Sequence, residues 1–392
     1  MRLVKNRVLA VLVMAGLAAA LGLAFLTHAP NRLAAGASIP LAQLVSDTEG
    51  IHIGPLLALL PALLLVAGIF MRPARSTQIA VYGAATLLLS SLAWLAAESA
   101  AQLADTSSPI ARTSFGSAFW LLTALSWLAA ADAMERLGLK PAYRLLAGAA
   151  VIIPLLVLLA SGALKELSLF KEYANRREVF NAALWQHVRI VVTSLLPALL
   201  IGVPLGIASV RMRALHPPLF ALLNVIQTVP SIALFGLLMA PLALLAASVP
   251  ALAQLGIKGI GLAPAVIALT LYGLLPIVRS SAAGLSQVPQ PVIEAALGMG
   301  LTPRQIFWRI ELPLALPVFF SGLRVATVQT IGMAVVAALI GAGGFGAIVF
   351  QGLLGGALDL VLLGVVPVVA MAVAVDALLK ALGLALEPDV ND

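Results

Sequence analysis

Cysteine is absent from this 392-residue chain, which excludes disulfides, thiolate metal sites and a cysteine nucleophile. Charge is scarce as well: Lys, Arg, Asp and Glu make up 10% of the residues, against 62% for the hydrophobic types. So little polar surface cannot cover a water-soluble fold of this length. No Gly-Lys dipeptide occurs, so there is no Walker A phosphate loop. His28, His52, His187 and His216 are scattered and none precedes Glu, which removes the H-E-x-x-H zinc motif, and G-x-S-x-G is also missing. The formal charge of +7 does not point to nucleic acid, because Arg and Lys stand at the ends of apolar runs rather than in a patch interleaved with exposed aromatics.

What fills the chain is long apolar runs. A helix needs about 20 apolar residues to cross a hydrocarbon core about 30 Å thick. The sequence therefore predicts an all-α integral membrane protein of roughly ten transmembrane helices. They lie near 8–26, 54–71, 77–97, 115–133, 144–162, 187–209, 217–246, 262–280, 314–340 and 359–384. The first run is longer than a signal-peptide core and Thr27-His28-Ala29 is a poor cleavage site, so it is read as a retained span.

Charge sets the expected orientation. With Arg2, Lys5 and Arg7 in the cytoplasm, Arg72, Arg75, Arg136, Lys140, Arg144, Arg211, Arg213, Arg279, Arg304 and Arg309 all fall on that side, as the positive-inside rule requires. Both termini are then cytoplasmic. The exception is 163–186, which carries Lys165, Lys171, Arg176 and Arg177 outside, accompanied by Glu166, Glu172 and Glu178. This stretch divides the chain into an N-terminal membrane region, 1–162, of about five spans, an external amphipathic linker, 163–186, and a C-terminal region, 187–385, that holds every interpretable signal.

The most informative segment is a polar interruption at 291–313. Pro291 suits a first helical turn, Glu294 is expected near the positive end of that helix dipole, and Gly300 supplies a stop. Thr302 then reads as an N-cap, with Pro303 at the first helical position and Gln305 completing a capping box. Pro313 is expected to end this second short helix. Ile293, Leu297, Ile306 and Ile310 offer apolar contacts to a partner groove. An ordinary connection of about 2–8 residues would need no paired caps.

Glu294-Ala295-Ala296, three residues, Gly300, nine residues, Ile310, one residue, then Leu312-Pro313 is a spacing that resembles the EAA loop of ABC importer permeases. The segments 224–237 and 263–279, continuing through the glycine-rich 338–346, are similar to the permeases of osmoprotectant importers, which carry glycine betaine, choline and related quaternary amines. This resemblance covers about residues 185–385, and the N-terminal spans are similar to the longer variants of that family. It implies a five-helix type I permease core whose loop docks on an ATPase, with Glu294, Ala295, Ala296, Gly300, Ile310, Leu312 and Pro313 as coupling residues. It further implies a second permease copy or a homologous permease, two ATP-binding subunits that hold ATP and Mg, a separate external or periplasmic binding protein, and a place in the bacterial cytoplasmic membrane. No cofactor is expected in this chain. An importer of methionine, phosphonate or sulfonate is the alternative within the class, and a membrane-embedded enzyme or an assembly scaffold lies outside it.

Polar groups inside apolar spans are costly and so mark candidate sites. Gln227, Thr228, Ser231, Tyr272, Gln329 and Thr330 are candidates to line a pathway beside the helix-breaking Pro230, or to serve as hydrogen-bonding glue between helices. Arg324 and Asp376 lie at similar expected depth and are candidates for an intramembrane ion pair. Gly341-Ala342-Gly343-Gly344-Phe345-Gly346 fits G-x-G-x-x-G but lacks a preceding strand and a following acidic residue, so it reads as a turn between spans rather than a dinucleotide site.

Overall fold

The computed structural model describes residues 4–32, 34–47, 50–51, 56, 59–139, 141–254 and 256–385. Arg2, His52, Lys140 and the first residues of the expected span 54–71 lie outside them. The described chain forms two compact units, Met1–Asn175 and Arg176–Asp392.

The first unit opens with helix α1 (Arg7–Gly22), capped by the Asn6 side chain, which accepts the Leu9 N–H at 3.0 Å. The apolar run does not continue as helix to residue 26, as the sequence predicts. Past Gly22 the chain turns into strand β1 (Ala24–Ala29), which pairs antiparallel on both sides, with β2 (Ala37–Pro40) and β5 (Arg112–Phe115). Leu26 faces both Ile39 and Phe115 in register, and a bulge separates Ala24 from Leu26. Two-sided pairing satisfies the backbone of β1 as fully as a helix would. The β2 strand leads into α2 (Leu41–Val45) and a two-residue ladder, β3 (Ser46–Asp47) with β4 (Gly50–Ile51). Helices α3 (Leu60–Phe70), α4 (Arg75–Thr106), α5 (Ser117–Arg136) and α6 (Pro141–Ala160) follow, then a 3₁₀ turn (Ala163–Glu166) and α7 (Ser168–Asn175). The sheet therefore sits where α1, α4 and α6 end and α5 begins, around Phe25, Phe115 and Phe119.

The second unit begins with α8 (Arg177–Arg211), so residues 177–186 are the start of a membrane helix rather than part of a connecting segment. The expected single span 217–246 is two helices, α9 (His216–Thr228) and α10 (Ser231–Ser248), broken at Pro230, because proline has no N–H and pushes the residue before it into an extended conformation. After the short α11 (Pro250–Gln254) come α12 (Leu262–Ser286), α13 (Gln290–Gly298), α14 (Pro303–Ile306), a π turn (Phe307–Glu311), α15 (Leu312–Val336), a 3₁₀ turn (Ala337–Ile340), α16 (Phe345–Leu354) and α17 (Leu358–Ala385). Among the described residues seven helices are long and apolar enough to cross a membrane, and four shorter apolar helices accompany them.

The core of this unit is α12, packed between α8 and α15. Ala198, Ile277 and Ala326 meet there and are fully buried. Small residues permit the contact: a Cβ at Gly206 would lie 2.5 Å from Ser281 Cβ and 2.9 Å from the Val278 carbonyl oxygen, and one at Gly322 would overlap Ser280. Such backbone proximity drives helix association where apolar burial gives no advantage over lipid. We expect Gly206→Val and Gly322→Leu each to destabilise this unit by about 1–3 kcal/mol through overpacking, read as a lowered melting midpoint in detergent. Gly332→Ala, where nothing lies within 4 Å of the new Cβ, should melt as the unaltered protein does. Unchanged melting of Gly206→Val would contradict the close approach.

Candidate functional site

The loop after α12 is built from two caps set back to back. Helix α13 carries Pro291 in its first turn and ends in a Schellman motif: Gly300, at φ +79°, donates to the Leu297 carbonyl at 2.9 Å, and Leu301 donates to that of Ala296 at 3.1 Å. Thr302 opens the next helix. Its N–H donates to Gln305 Oε1 at 2.8 Å while the Gln305 N–H donates to Thr302 Oγ1 at 3.4 Å, a closed capping box. Ala296 is completely buried beneath the turn. Glu294 is exposed and is the fifth residue of α13, one place beyond the first turn, so the dipole contact expected from the sequence does not form.

The apolar face of the loop also differs from expectation. Ile306 is buried within the chain and Ile293 and Ile310 are half-buried, whereas Leu297, Met299 at 71% and Trp308 at 59% exposure point outward. Nor does Pro313 end the second helix. The chain widens into the π turn, where the Leu312 N–H donates to the Phe307 carbonyl, and runs straight into α15 with Pro313 in its first turn. A proline needs no donor there, and the wider turn absorbs the residue whose ring would otherwise meet the preceding carbonyl. Two further features fix this base. Arg211, the last residue of α8, donates to the carboxylate of the buried Glu311. Behind the π turn lies an apolar cavity of about 90 Å³ bounded by Val203, Ile207, Leu285 and Phe307.

Of the polar groups predicted inside spans, three come together. Gln227 Nε2 donates to the Tyr272 carbonyl at 2.6 Å, Gln329 Nε2 donates to Gln227 Oε1 at 3.4 Å, and the Tyr272 hydroxyl donates to the Val229 carbonyl at 2.5 Å. These bonds brace the break at Pro230. Tyr272 and Thr330 are buried, Gln227, Ser231 and Gln329 are half-buried, and Thr228 is exposed. Thr228 and Thr330 donate to carbonyls of their own helices, those of Val225 and Ala326, both at 2.7 Å. Arg324 of α15 and Asp376 of α17 form a bidentate pair, with Nε to Oδ1 and Nη2 to Oδ2 each 2.9 Å.

The glycine-rich turn at 341–346 follows a 3₁₀ turn, not a strand. Gly341, Gly343 and Gly344 all take positive φ, which side chains with a Cβ resist. Gln186 Nε2 donates to the Ala342 carbonyl at 2.9 Å, the Gly261 N–H donates to that of Ile340 at 2.7 Å, and buried His187 contacts the Ile331 carbonyl through Nε2 at 3.1 Å.

Residues 198–391 match the family model for the binding-protein-dependent transport system inner membrane component. Over 204 residues the chain is 39% identical to the osmoprotectant import permease protein OsmW of Salmonella typhimurium, a match spanning 52% of this chain and 90% of that one. The chain belongs to the ABC importer permeases. Residues 5–170 of the permease match a second model, the N-terminal domain of ABC transporter permease YehY. The choline transport system permease protein OpuBB of Bacillus subtilis is 34% identical over 52% of the permease and 87% of its own length. Among solved structures, the inward-facing MetNI methionine ABC transporter covers 54% of the permease and 98% of its own chain at 23% identity, with a TM-score of 0.48.

Sequence reasoning passed over the Arg211–Glu311 tie. Its signal was a carboxylate immediately before Leu312-Pro313 and an arginine closing an apolar run 100 residues earlier, which spacing alone does not link. Gln186 and His187 were likewise invisible as partners of the glycine turn.

The Arg324–Asp376 geometry yields a double-mutant test. Arg324→Gln or Asp376→Asn alone strands a charge at a cost of about 2.5–3.5 kcal/mol if it lies deep in the bilayer, and should lower the amount of folded permease recovered. The double substitution should recover part of that loss. Recovery of the double variant no better than the sum of the singles would refute coupling.

Proposed function

We propose that the permease forms the membrane pathway of an ATP-driven importer for a quaternary-amine osmoprotectant such as glycine betaine or choline. The observation that carries this reading is the 39% identity over 204 residues with an osmoprotectant import permease. Two copies, or one copy and a homologous permease, enclose the pathway in the bacterial cytoplasmic membrane. Two separate ATPase subunits bind ATP and Mg, this chain having no ATPase site of its own, and an external binding protein delivers the substrate. The loop Gln290–Pro313 is the lever on which the ATPase pushes, with Glu294, Ala295, Ala296, Gly300, Ile310, Leu312 and Pro313 in the coupling segment. Its outward Leu297, Met299 and Trp308 supply the apolar contact and Glu294 the charged one. Back-to-back caps and a helix continuous with α15 favour this role, since a lever transmits displacement only if it does not bend.

Gln227, Thr228 and Ser231 of the broken helix, together with Gln329 of α15, are the groups that meet the pathway, with Tyr272 and Thr330 behind them. Quaternary ammonium ions are held best by open aromatic faces, and the Tyr272 ring is buried. Selectivity therefore resides mainly in the binding protein.

Two measurements test this reading. On this proposal both termini and the loop Gln290–Pro313 face the cytoplasm, so single cysteines at exposed Ser161 and Ser286 should differ in labelling by an impermeant thiol reagent in intact cells, with only the former reacting. Ser168 would be a poor reporter because it is buried. Equal labelling at both sites would overturn the orientation. For coupling, Glu294→Lys and Gly300→Val should leave membrane insertion intact yet reduce uptake of radiolabelled glycine betaine or choline, and binding-protein-stimulated ATP hydrolysis, by about tenfold or more, a loss of about 1.4 kcal/mol in coupling. Normal uptake by both variants at equal expression would show that this loop is not the lever.

A further inference from the structure

The N-terminal unit contains a hollow that the transport reading leaves without a role. Where β5 and the ends of α4 and α6 meet the 3₁₀ turn and α7, a cavity of about 480 Å³ is lined by Arg112, Leu159, Lys165, Phe170, Lys171 and Tyr173, among others. A second, of about 180 Å³, shares Pro109 and Lys171 with it and adds His28 and Glu166.

The charges around this hollow do not cancel. Lys171 pairs with Glu166 at 2.9 Å, and the buried Glu172 pairs with Arg32 at 3.6 Å. His28 is occupied on both ring nitrogens, by Thr113 Oγ1 at 2.9 Å and Ser107 Oγ at 3.1 Å. Among the described residues no carboxylate lies within ion-pair distance of Arg112 or Lys165. Arg112 Nη1 donates to the carbonyl of neighbouring Ala111 at 3.3 Å, and its Nε is shut from water with no acceptor. The Nε is therefore closed to the cavity as well, and it is the remainder of the guanidinium, on a residue that lines the cavity and has no described carboxylate within ion-pair distance, that can take an acceptor supplied from outside the chain.

We propose that this hollow binds a phosphate group, with Arg112 as its planar fork and Lys165 and Lys171 as neutralising charges. Arg112 and Lys165, with Lys171 shared with Glu166, leave a net positive charge that suits a tetrahedral anion with several acceptor oxygens better than a lone carboxylate, and the guanidinium matches two of those oxygens. The rim favours an ester carrying hydrocarbon, because Leu159 lines the cavity while Leu156, Val157 and Leu159 leave an exposed apolar strip on α6 leading up to it. A phospholipid headgroup and a soluble phosphate ester share this chemistry.

The two sources separate in one experiment on the full-length permease, delipidated in dodecyl maltoside, a detergent without phosphate. One arm adds phosphatidylglycerol to the micelles; the other adds soluble glycerol phosphate. The readouts are the melting midpoint and, for the first arm, the phosphatidylglycerol that remains bound through detergent exchange. Protection by phosphatidylglycerol alone assigns the site to a lipid headgroup, and protection by glycerol phosphate assigns it to a soluble ester. In either case Arg112→Gln and Lys165→Gln should weaken half-saturation by about tenfold each, while Arg112→Lys, which keeps the charge but not the fork, should fall between. Lys165 is exposed, so its variant carries the test should Arg112→Gln fail to fold. No protection in either arm, or equal protection of the unaltered protein and Lys165→Gln, would overturn the assignment.

Discussion

Inside a bilayer there is no water to complete a broken backbone, so every interruption of a spanning helix has to be satisfied by the protein itself. The C-terminal unit shows this at three of its breaks. Pro230 divides one predicted span, and the freed Val229 carbonyl takes the Tyr272 hydroxyl while Gln227 reaches the Tyr272 carbonyl. The glycine turn at 341–346 leaves carbonyls that Gln186 and the Gly261 N–H occupy. At the base of the loop, the π turn accommodates Pro313 without ending the helix. At two of these breaks the satisfying groups are the side chains of Gln186, Gln227 and Tyr272, and helix breaks are also where a transporter would need its moving parts.

How much of this was legible in the residues depended on whether the cause was local. Capping is local: Thr302, Pro303 and Gln305 announce the helix start, and Gly300 its predecessor's end, within a few positions of sequence. Apolar run length is local too, so each expected span contains helix. The strand Ala24–Ala29 was not legible, because apolar residues at the end of a long run look the same whether they continue a helix or pair with a strand nearly 90 residues away. Pro313 misled for a related reason, since a wider turn admits it without ending the helix, and Glu311 at the end of that turn is held by Arg211 from 100 residues away. Arg324 and Asp376 were suggested as a pair by depth alone, while their bidentate geometry came from the packing of α15 on α17.

The two units carry different amounts of recognisable information. The C-terminal unit holds the match to the transport-system family model, at residues 198–391, and its signature lies in turn chemistry at the loop. The N-terminal unit matches a domain model of its own, but its distinctive features, a three-stranded sheet and a basic hollow, arise from residues that are unremarkable singly. Arg112, Lys165 and Lys171 gain meaning only when a strand, a 3₁₀ turn and a short helix bring them to one wall.

From Pro303 to Val336 the chain runs through helix, π turn and helix without a non-helical residue. The outward face of the loop and the face of α15 that packs on α12 therefore share a single helical phase. Each residue advances that phase by about 100°, so losing or gaining one residue between Trp308 and Pro317 would swing Trp308 a quarter turn or more away from its present bearing. Natural variation in this stretch should accordingly tolerate changes of side chain while holding the number of residues constant, a constraint on length that the connection Pro250–Gln254, with its own short helix between breaks, does not share.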